Sequence, residues 1–444
     1  MFAKQQIVKR LKEISSDKPV LYSFIGTVWR MAFAPVSLFL VALKLTPELQ
    51  GFYYLFFSIA GMQVIVEAGF SHTLVQSVSH EMEHVEFRNH LLHGDERKLI
   101  NIREAMRTGF LWYTIVALVC LFIIYPIGMA IIGSDHWEAR DQWLGPWSCF
   151  IVCFALNIFL YPVNFFFEGI LHLEKIYKNR LVIQILSSIF FIVALYSGMG
   201  LYSIISMSLT SFLVNLTQLF FPNLKQFSEY IFKLPTKEYI KRTYKWQLKV
   251  SAVWCTGYLY WQLPTVIIFS KLGPVVSGQY SMTVNVINSV MNIGQVFVKT
   301  KAAIIGELRA SNHFQEAYAI FRKNSAYSYF IVSVGIFSVL VLWYVFPSFI
   351  VWKRMLPFAQ TFILFFAFAL TMLTMNQAMF ARCSKEEPFF KISMFVNFAF
   401  PLFLLVSLYI RPDIWAVLFT FVTIHTIEFI CGIKKYKSLY GYWW

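Results

Sequence analysis

Lys44-Leu-Thr-Pro-Glu-Leu-Gln-Gly-Phe-Tyr53 returns as Lys271-Leu-Gly-Pro-Val-Val-Ser-Gly-Gln-Tyr280, an offset of 227 positions in a chain of 444. Lys, Leu, Pro, Gly and Tyr recur in register. Each copy punctuates long apolar segments, so the chain reads as two related halves.

Composition places those halves in a bilayer. With 58% hydrophobic, 19% aromatic and 14% charged residues, too few polar side chains exist to cover a soluble surface. The net charge of +15 raises nucleic acid as a partner, but the basic residues punctuate apolar runs instead of clustering on one face, which argues against it. Ala32-Phe33-Ala34 resembles a signal-peptidase site after Lys4, Lys9, Arg10 and Lys12. Pro35 follows it, Arg30 interrupts the apolar core and hydrophobicity continues to Leu43, so a retained first span is expected. The six cysteines form no CxxC pair, and Cys149 and Cys153 lack a His or acid spaced to complete a metal site.

Apolar stretches long enough to cross about 30 Å of hydrocarbon fall near 19–43, 51–78, 107–133, 146–170, 181–199 and 201–222. Six more lie near 247–270, 279–304, 326–350, 357–381, 392–410 and 414–432. The expectation is an all-α polytopic membrane protein of 12 transmembrane helices in two pseudo-symmetric six-helix lobes. Residues 1–222 form the N-terminal lobe, 223–246 a basic cytoplasmic linker, and 247–444 the C-terminal lobe with its tail. Of the 38 basic residues only Lys44, Arg140, Lys271, Lys353, Arg354 and Arg411 fall in the loops opposite the termini, so both termini are expected in the cytoplasm. The linker reads as a solvated basic segment on anionic lipid. His80, His84, His90 and His93 sit in charged surroundings that read as helical, without ligand geometry.

A charge near the bilayer centre costs at least about 2.5 to 3.5 kcal/mol, so each one is a candidate functional group. Among the acids Glu67 is deep, whereas Glu168 and Glu428 fall near cytoplasmic span ends. Arg30 is deep as well, about 16 Å into the first span. Its depth matches that of Glu67, which allows a buried ion pair or a site in which Arg30 takes an anionic headgroup and Glu67 releases or exchanges it. Lys249, Lys299 and Lys301 group where the seventh and eighth spans meet the cytoplasm, as snorkelling residues or as a basic mouth. His72 could titrate near neutrality. Asn285, Asn288, Ser289, Asn292 and Gln295 fall in one span, several on one helical face, and such a stripe lines a lumen or bonds to other helices. Pro35 and Pro264, and Pro126 and Pro347, fall in corresponding spans where helices can bend. A duplicated bundle is how many transporters are built, so transport leads the functional hypotheses.

Twelve spans, two halves and the repeated Lys-Leu-x-Pro-x-x-x-Gly-x-Tyr resemble the polysaccharide flippases of the multidrug, oligosaccharidyl-lipid and polysaccharide exporter superfamily, most closely the O-antigen type. The resemblance is clearest at Leu45 to Gln76 and at Trp246 to Leu308. It implies alternating-access movement of an undecaprenyl diphosphate-linked oligosaccharide across the bacterial inner membrane, with a polysaccharide polymerase and chain-length regulator as associated partners. Arg30, Lys249, Lys299 and Lys301 would meet the diphosphate. Glu67 and His72 would couple or gate, and Trp29, Tyr258, Tyr260, Trp261, Asn285, Asn288 and Asn292 are candidates to meet sugar. No phosphate loop of the Gly-x-x-x-x-Gly-Lys-Ser/Thr kind is present, so no ATPase is expected in the chain and energy would come from a proton or sodium gradient, the membrane potential or product consumption, with no cofactor expected.

Two rivals stay open. A cation-coupled multidrug exporter of the same superfamily should prefer acids in its binding site. A membrane-embedded enzyme or scaffold of envelope polysaccharide synthesis should place acids near a membrane face, where Glu168 and Glu428 are the residues to inspect.

Overall fold

The apolar runs fold as helices because a bilayer leaves no water for unpaired peptide groups. The computed structural model describes residues 18–383 and 387–441, without the side chains of 242, 244–246, 248–250 and 252–254. Lys249 therefore lies outside the described side chains. The protein is a multi-pass membrane protein: among the described residues nine helical stretches are long and apolar enough to cross a bilayer, and Glu96–Gly169 alone holds two of the expected spans. The seventh and eighth spans fall in Lys237–Trp261 and Leu263–Lys299.

Both copies of the repeat are helix junctions. In the first, the helix Lys18–Lys44 ends and Pro47 opens Pro47–Ala60, with Thr46 Oγ1 accepting the Leu49 amide at 3.2 Å. Proline suits that first turn because its missing N–H would have no partner there. In the second, Gly273 takes φ 82°, a left-handed value that glycine adopts without a Cβ clash, and Pro274 opens the next helical segment.

The chain groups into two compact units, one comprising the chain up to Lys44 with Phe56–Tyr258, the other Leu45–Leu55 with Leu259–Trp444. The second unit thus contains the second copy of the repeat and the first copy from Leu45 onward, and these touch. A Cβ on Gly51 would lie 2.1 Å from the Pro274 carbonyl oxygen, and one on Gly278 would lie 2.9 Å from the Gly51 amide nitrogen. These glycines occupy equivalent repeat positions. Gln50 Nε2 completes the crossing with bonds to the Gly278 and Arg354 carbonyls at 2.9 and 3.1 Å.

In the first unit the helix Leu224–Ile231 is amphipathic, and its apolar face is docked. Phe227 and Tyr230 are buried beside Phe166, with ring centroids 5.3 and 6.3 Å from it. Burying each ring contributes up to about 1.5 to 3 kcal/mol. The linker is therefore a docked helix followed by a continuation that merges with the seventh span at Lys237, instead of a wholly solvated segment. The histidine-rich loop differs from expectation too. Val85–Arg88 and Leu91–Gly94 pair as an antiparallel hairpin, with Val85 opposite Gly94 and Arg88 opposite Leu91. Asn89 and His90 take positive φ at its turn, and Phe87 inserts against Phe166, Phe167 and His172. A hydrogen bond from Lys98 at 2.9 Å, and its charge, hold the Glu83 carboxyl below the usual carboxylate range. Among the described residues no group of three or more His, Cys, Asp or Glu side chains could hold a metal ion.

Glu104 ties the linker down. Its carboxylate accepts from Arg107 at 2.8 Å and from the Thr236 amide at 2.6 Å, and Arg107 reaches Glu229 at 3.6 Å. Glu104→Ala should destabilise the folded protein by about 3 kcal/mol, because it leaves a largely buried guanidinium with only its longer contact to Glu229 and takes the acceptor from the Thr236 N–H. Thermal unfolding in detergent checks this, and Glu104→Gln should recover part of the loss through the amide oxygen that still accepts from Thr236.

Proline behaves unevenly. Pro35 lies inside its helix, whereas Pro126 and Pro264 sit in the first turns of new helices, after a π turn at Cys120–Ile124 and a break at Gln262. Pro347 follows the end of Phe314–Val345 and bends no helix.

Candidate functional site

The second span breaks at Glu67. The helix Gln63–Glu67 stops because Ala68 and Gly69 take φ of 54° and 72°, and Phe70–Ser79 resumes beyond them. Peptide groups freed at such a break need partners. Trp112 Nε1 donates to the Glu67 carbonyl at 3.3 Å, Gln247 Nε2 to the Ala68 carbonyl at 2.7 Å, and Cys255 Sγ to the Ile65 carbonyl at 3.3 Å. Thr73 Oγ1 bonds to Gln247 Oε1. Tyr113 donates its hydroxyl to the Glu67 carboxylate at 2.8 Å, and its ring lies against Tyr161 and Phe165 at 5.8 and 5.6 Å. Half-buried Glu67 is thus held by an aromatic wall, while His72 stands exposed one turn beyond the break.

Arg30 and Glu67 do not pair. Lys18–Lys44 turns Gly26, Trp29 and Phe33 toward Leu173–Tyr196, where Trp29 Nε1 donates to Ser188 Oγ at 3.1 Å and Phe33 meets Phe191 edge-on at 6.3 Å. Arg30 remains exposed on that helix and makes no ion pair among the described residues. Trp29, a candidate for sugar, is half-buried in this helix contact.

In the second unit Asn285, Asn288, Ser289, Asn292 and Lys299 fall on one face of Leu263–Lys299 by helical spacing, and all are exposed or half-buried. Gln295 is buried, with Nε2 3.5 Å from Met375 Sδ. Lys301 is half-buried at the start of Ala302–Ala310. The stripe therefore runs from neutral amides to a cation. Of the aromatic candidates Trp261 is 46% exposed, whereas Tyr258 and Tyr260 are buried.

The two acids at the edges of the sequence reading have protein partners. Glu168 pairs with Arg180. Glu428 does not sit at the end of its helix, which continues to Tyr440, and it bonds to the fully buried His425 at 3.0 Å. His425 escaped the sequence reading, although a His and a Glu three apart in an apolar run were the available signal. Tyr113 and Gln247 offered none, because their roles depend on where the break in another span falls.

No protein-family model and no curated protein matches the sequence. Solved structures do match. The inward-facing conformation of a multidrug resistance MATE family transporter of the MOP superfamily aligns over 93% of this chain and 95% of its own, with a TM-score of 0.59 at 13% identity. The chain has the fold of the MATE transporters. An outward-facing structure with the same family description aligns over 95% of both chains, with a TM-score of 0.51 at 12% identity. A MOP superfamily transporter from Pyrococcus furiosus, described as having a binding pocket of reverse polarity that suggests a different function, aligns over 94% of both chains with a TM-score of 0.51 at 13% identity. The MATE fold carries the anticipated twelve-helix, two-lobe architecture. It does not distinguish the O-antigen type of flippase within that superfamily.

Proposed function

We propose that the protein is an alternating-access transporter of an anionic amphiphile, and that its cargo is an undecaprenyl diphosphate-linked oligosaccharide moved from the cytoplasmic to the periplasmic leaflet. The observation that carries this reading is the state of the intramembrane charges. Glu67 and Glu428 are each occupied by a side chain of the protein, whereas Arg30 stands exposed without an ion pair among the described residues. A guanidinium at that depth calls for an anionic partner or water, and its planar fork suits a diphosphate. The amide stripe that ends at Lys299 and Lys301 supports the same cargo, since sugar hydroxyls and phosphate need neutral and cationic donors respectively. Polyprenyl tails would stay in lipid. A polysaccharide polymerase and chain-length regulator would act on the product, and a proton or sodium gradient would drive the cycle.

A second reading is a cation-coupled multidrug exporter, favoured by the multidrug description of the transporters that share the fold. Its difficulty is that both deep carboxylates already have a side-chain partner, Tyr113 at Glu67 Oε1 and His425 at Glu428 Oε2, whereas Arg30 has no ion pair among the described residues. Purified protein in proteoliposomes separates the two. A diphosphate-linked glycolipid should change leaflet at a rate well above that of empty vesicles, with no efflux of an organic cation such as ethidium. Ethidium efflux with a static glycolipid would replace the first reading by the second.

A further inference from the structure

The last span holds a titratable centre for which binding of the cargo has no use. His425 is fully buried, eleven residues into Ile414–Tyr440 and so about 16 Å from that end of the helix, near mid-depth in a bilayer. Its Nε2 lies 3.1 Å from the Tyr260 hydroxyl, and its Nδ1 lies 2.8 Å from Thr371 Oγ1 and 3.0 Å from Glu428 Oε2. The rings of Phe368, Phe400 and Phe421 surround it, with centroids at 5.8, 6.2 and 5.6 Å. The other titratable group facing this cage is Tyr280, whose ring lies 5.9 Å from Phe421. Phe358–Arg382 and Phe390–Ile410 supply Thr371 and phenyl rings, and among the described residues no lysine or arginine pairs with Glu428.

A histidine that merely joined helices would need no carboxylate, because Tyr260 and Thr371 already satisfy both ring nitrogens. What Glu428 adds is charge. With Glu428 ionised and the imidazole neutral, the cage would hold a net charge of −1, which an apolar interior disfavours. One added proton turns it into a neutral imidazolium–carboxylate pair. The hydrogen bonds close in both states. Without the proton, Nδ1–H faces Glu428 and Tyr260 donates to Nε2. With it, Nε2–H donates to the Tyr260 oxygen, and Tyr260 turns its own proton toward Thr371, another side chain at the ring of His425. Glu428 keeps 12% of its side chain exposed against none for His425, so the carboxylate is the route by which a proton enters. Tyr260 lies two residues before the helix break at Gln262, so the exchange of donor and acceptor acts beside a joint in the seventh span.

We propose that His425 and Glu428 form a one-proton binding site in the second unit and that this proton couples to transport. The coupling rests on the transport reading above; the protonation does not. In detergent, the full-length protein with ¹⁵N-labelled histidine should show one imidazole, assigned by its loss in His425→Gln, that titrates between about pH 5 and 9. Glu428→Gln should move that midpoint at least about one unit toward acid, because a neutral amide no longer favours the imidazolium. In proteoliposomes, His425→Gln and Glu428→Gln should keep glycolipid exchange at equal pH within about twofold and lose at least about tenfold of the acceleration by an imposed pH gradient. An imidazole that does not titrate in this range overturns the site. Full acceleration in both folded variants overturns the coupling. Glycolipid that fails to move in the unaltered protein overturns the cargo, while the titration still decides the site.

Discussion

Arg30→Ala should stop the glycolipid from changing leaflet, with a loss of at least about 100-fold in rate, and leave the protein folded in the membrane. Two charge-assisted hydrogen bonds from one guanidinium are each worth about 1.5 to 3 kcal/mol in a poorly hydrated site, which converts to that loss or more. Stability should change little, since Arg30 is exposed and the residues that pack its helix are Gly26, Trp29 and Phe33. Arg30→Lys should recover only part of the rate, because an ammonium keeps the charge but not the planar fork. The checks are a leaflet assay in proteoliposomes and a melting temperature in detergent. Normal movement by a well-folded Arg30→Ala protein would remove Arg30 from the site.

The second large effect is expected at the repeat. Gly51→Ala should destabilise the protein by about 3 kcal/mol, the upper end of the range for overpacking. The atoms that a Cβ would meet are the Pro274 carbonyl oxygen, carbon and Cα at 2.1, 2.6 and 2.8 Å. All are backbone, so no rotamer change can make room. Gly278→Ala should cost less, because its nearest contacts are 2.9 and 3.2 Å away. The double variant should not sum the two, because both changes separate the same pair of segments. Melting curves of the three variants test this, and a Gly51→Ala protein that melts like the unaltered one would mean that the crossing is looser than described.

That crossing shows how far the sequence reads. Lys44 to Tyr53 and Lys271 to Tyr280 announce a duplication, and apolar run length announces the helices, because the bilayer sets both the minimum length and the demand for internal hydrogen bonds. The hairpin at Val85–Arg88 was not legible. Val85-Glu86-Phe87-Arg88 alternates for only one short strand, its partner Leu91–Gly94 does not alternate, and the pair is held by Phe87 inserting against Phe166 and Phe167, which are far along the chain.

The candidate site divides in the same way. Arg30 and Glu67 were visible, because a charge inside an apolar run stands out whatever it touches. What they touch was not: equal depth along two spans says nothing about which way each side chain points, and Glu67 found Tyr113 while Arg30 found no ion pair among the described residues. Glu428 was visible as an acid near the end of an apolar run, but neither the continuation of its helix to Tyr440 nor its bond to His425 was.

Sequence by itself determined the class of protein, the number of spans, the duplication and the unusual charges, because these follow from local composition and the fixed thickness of a membrane. Only the tertiary structure decided that equivalent glycines of the repeat meet, that the second span breaks at Glu67, and that His425 closes a cage with Glu428, Tyr260 and Thr371. Those outcomes depend on which helix faces touch, and faces are chosen by packing among residues that lie on different helices, far apart in the chain.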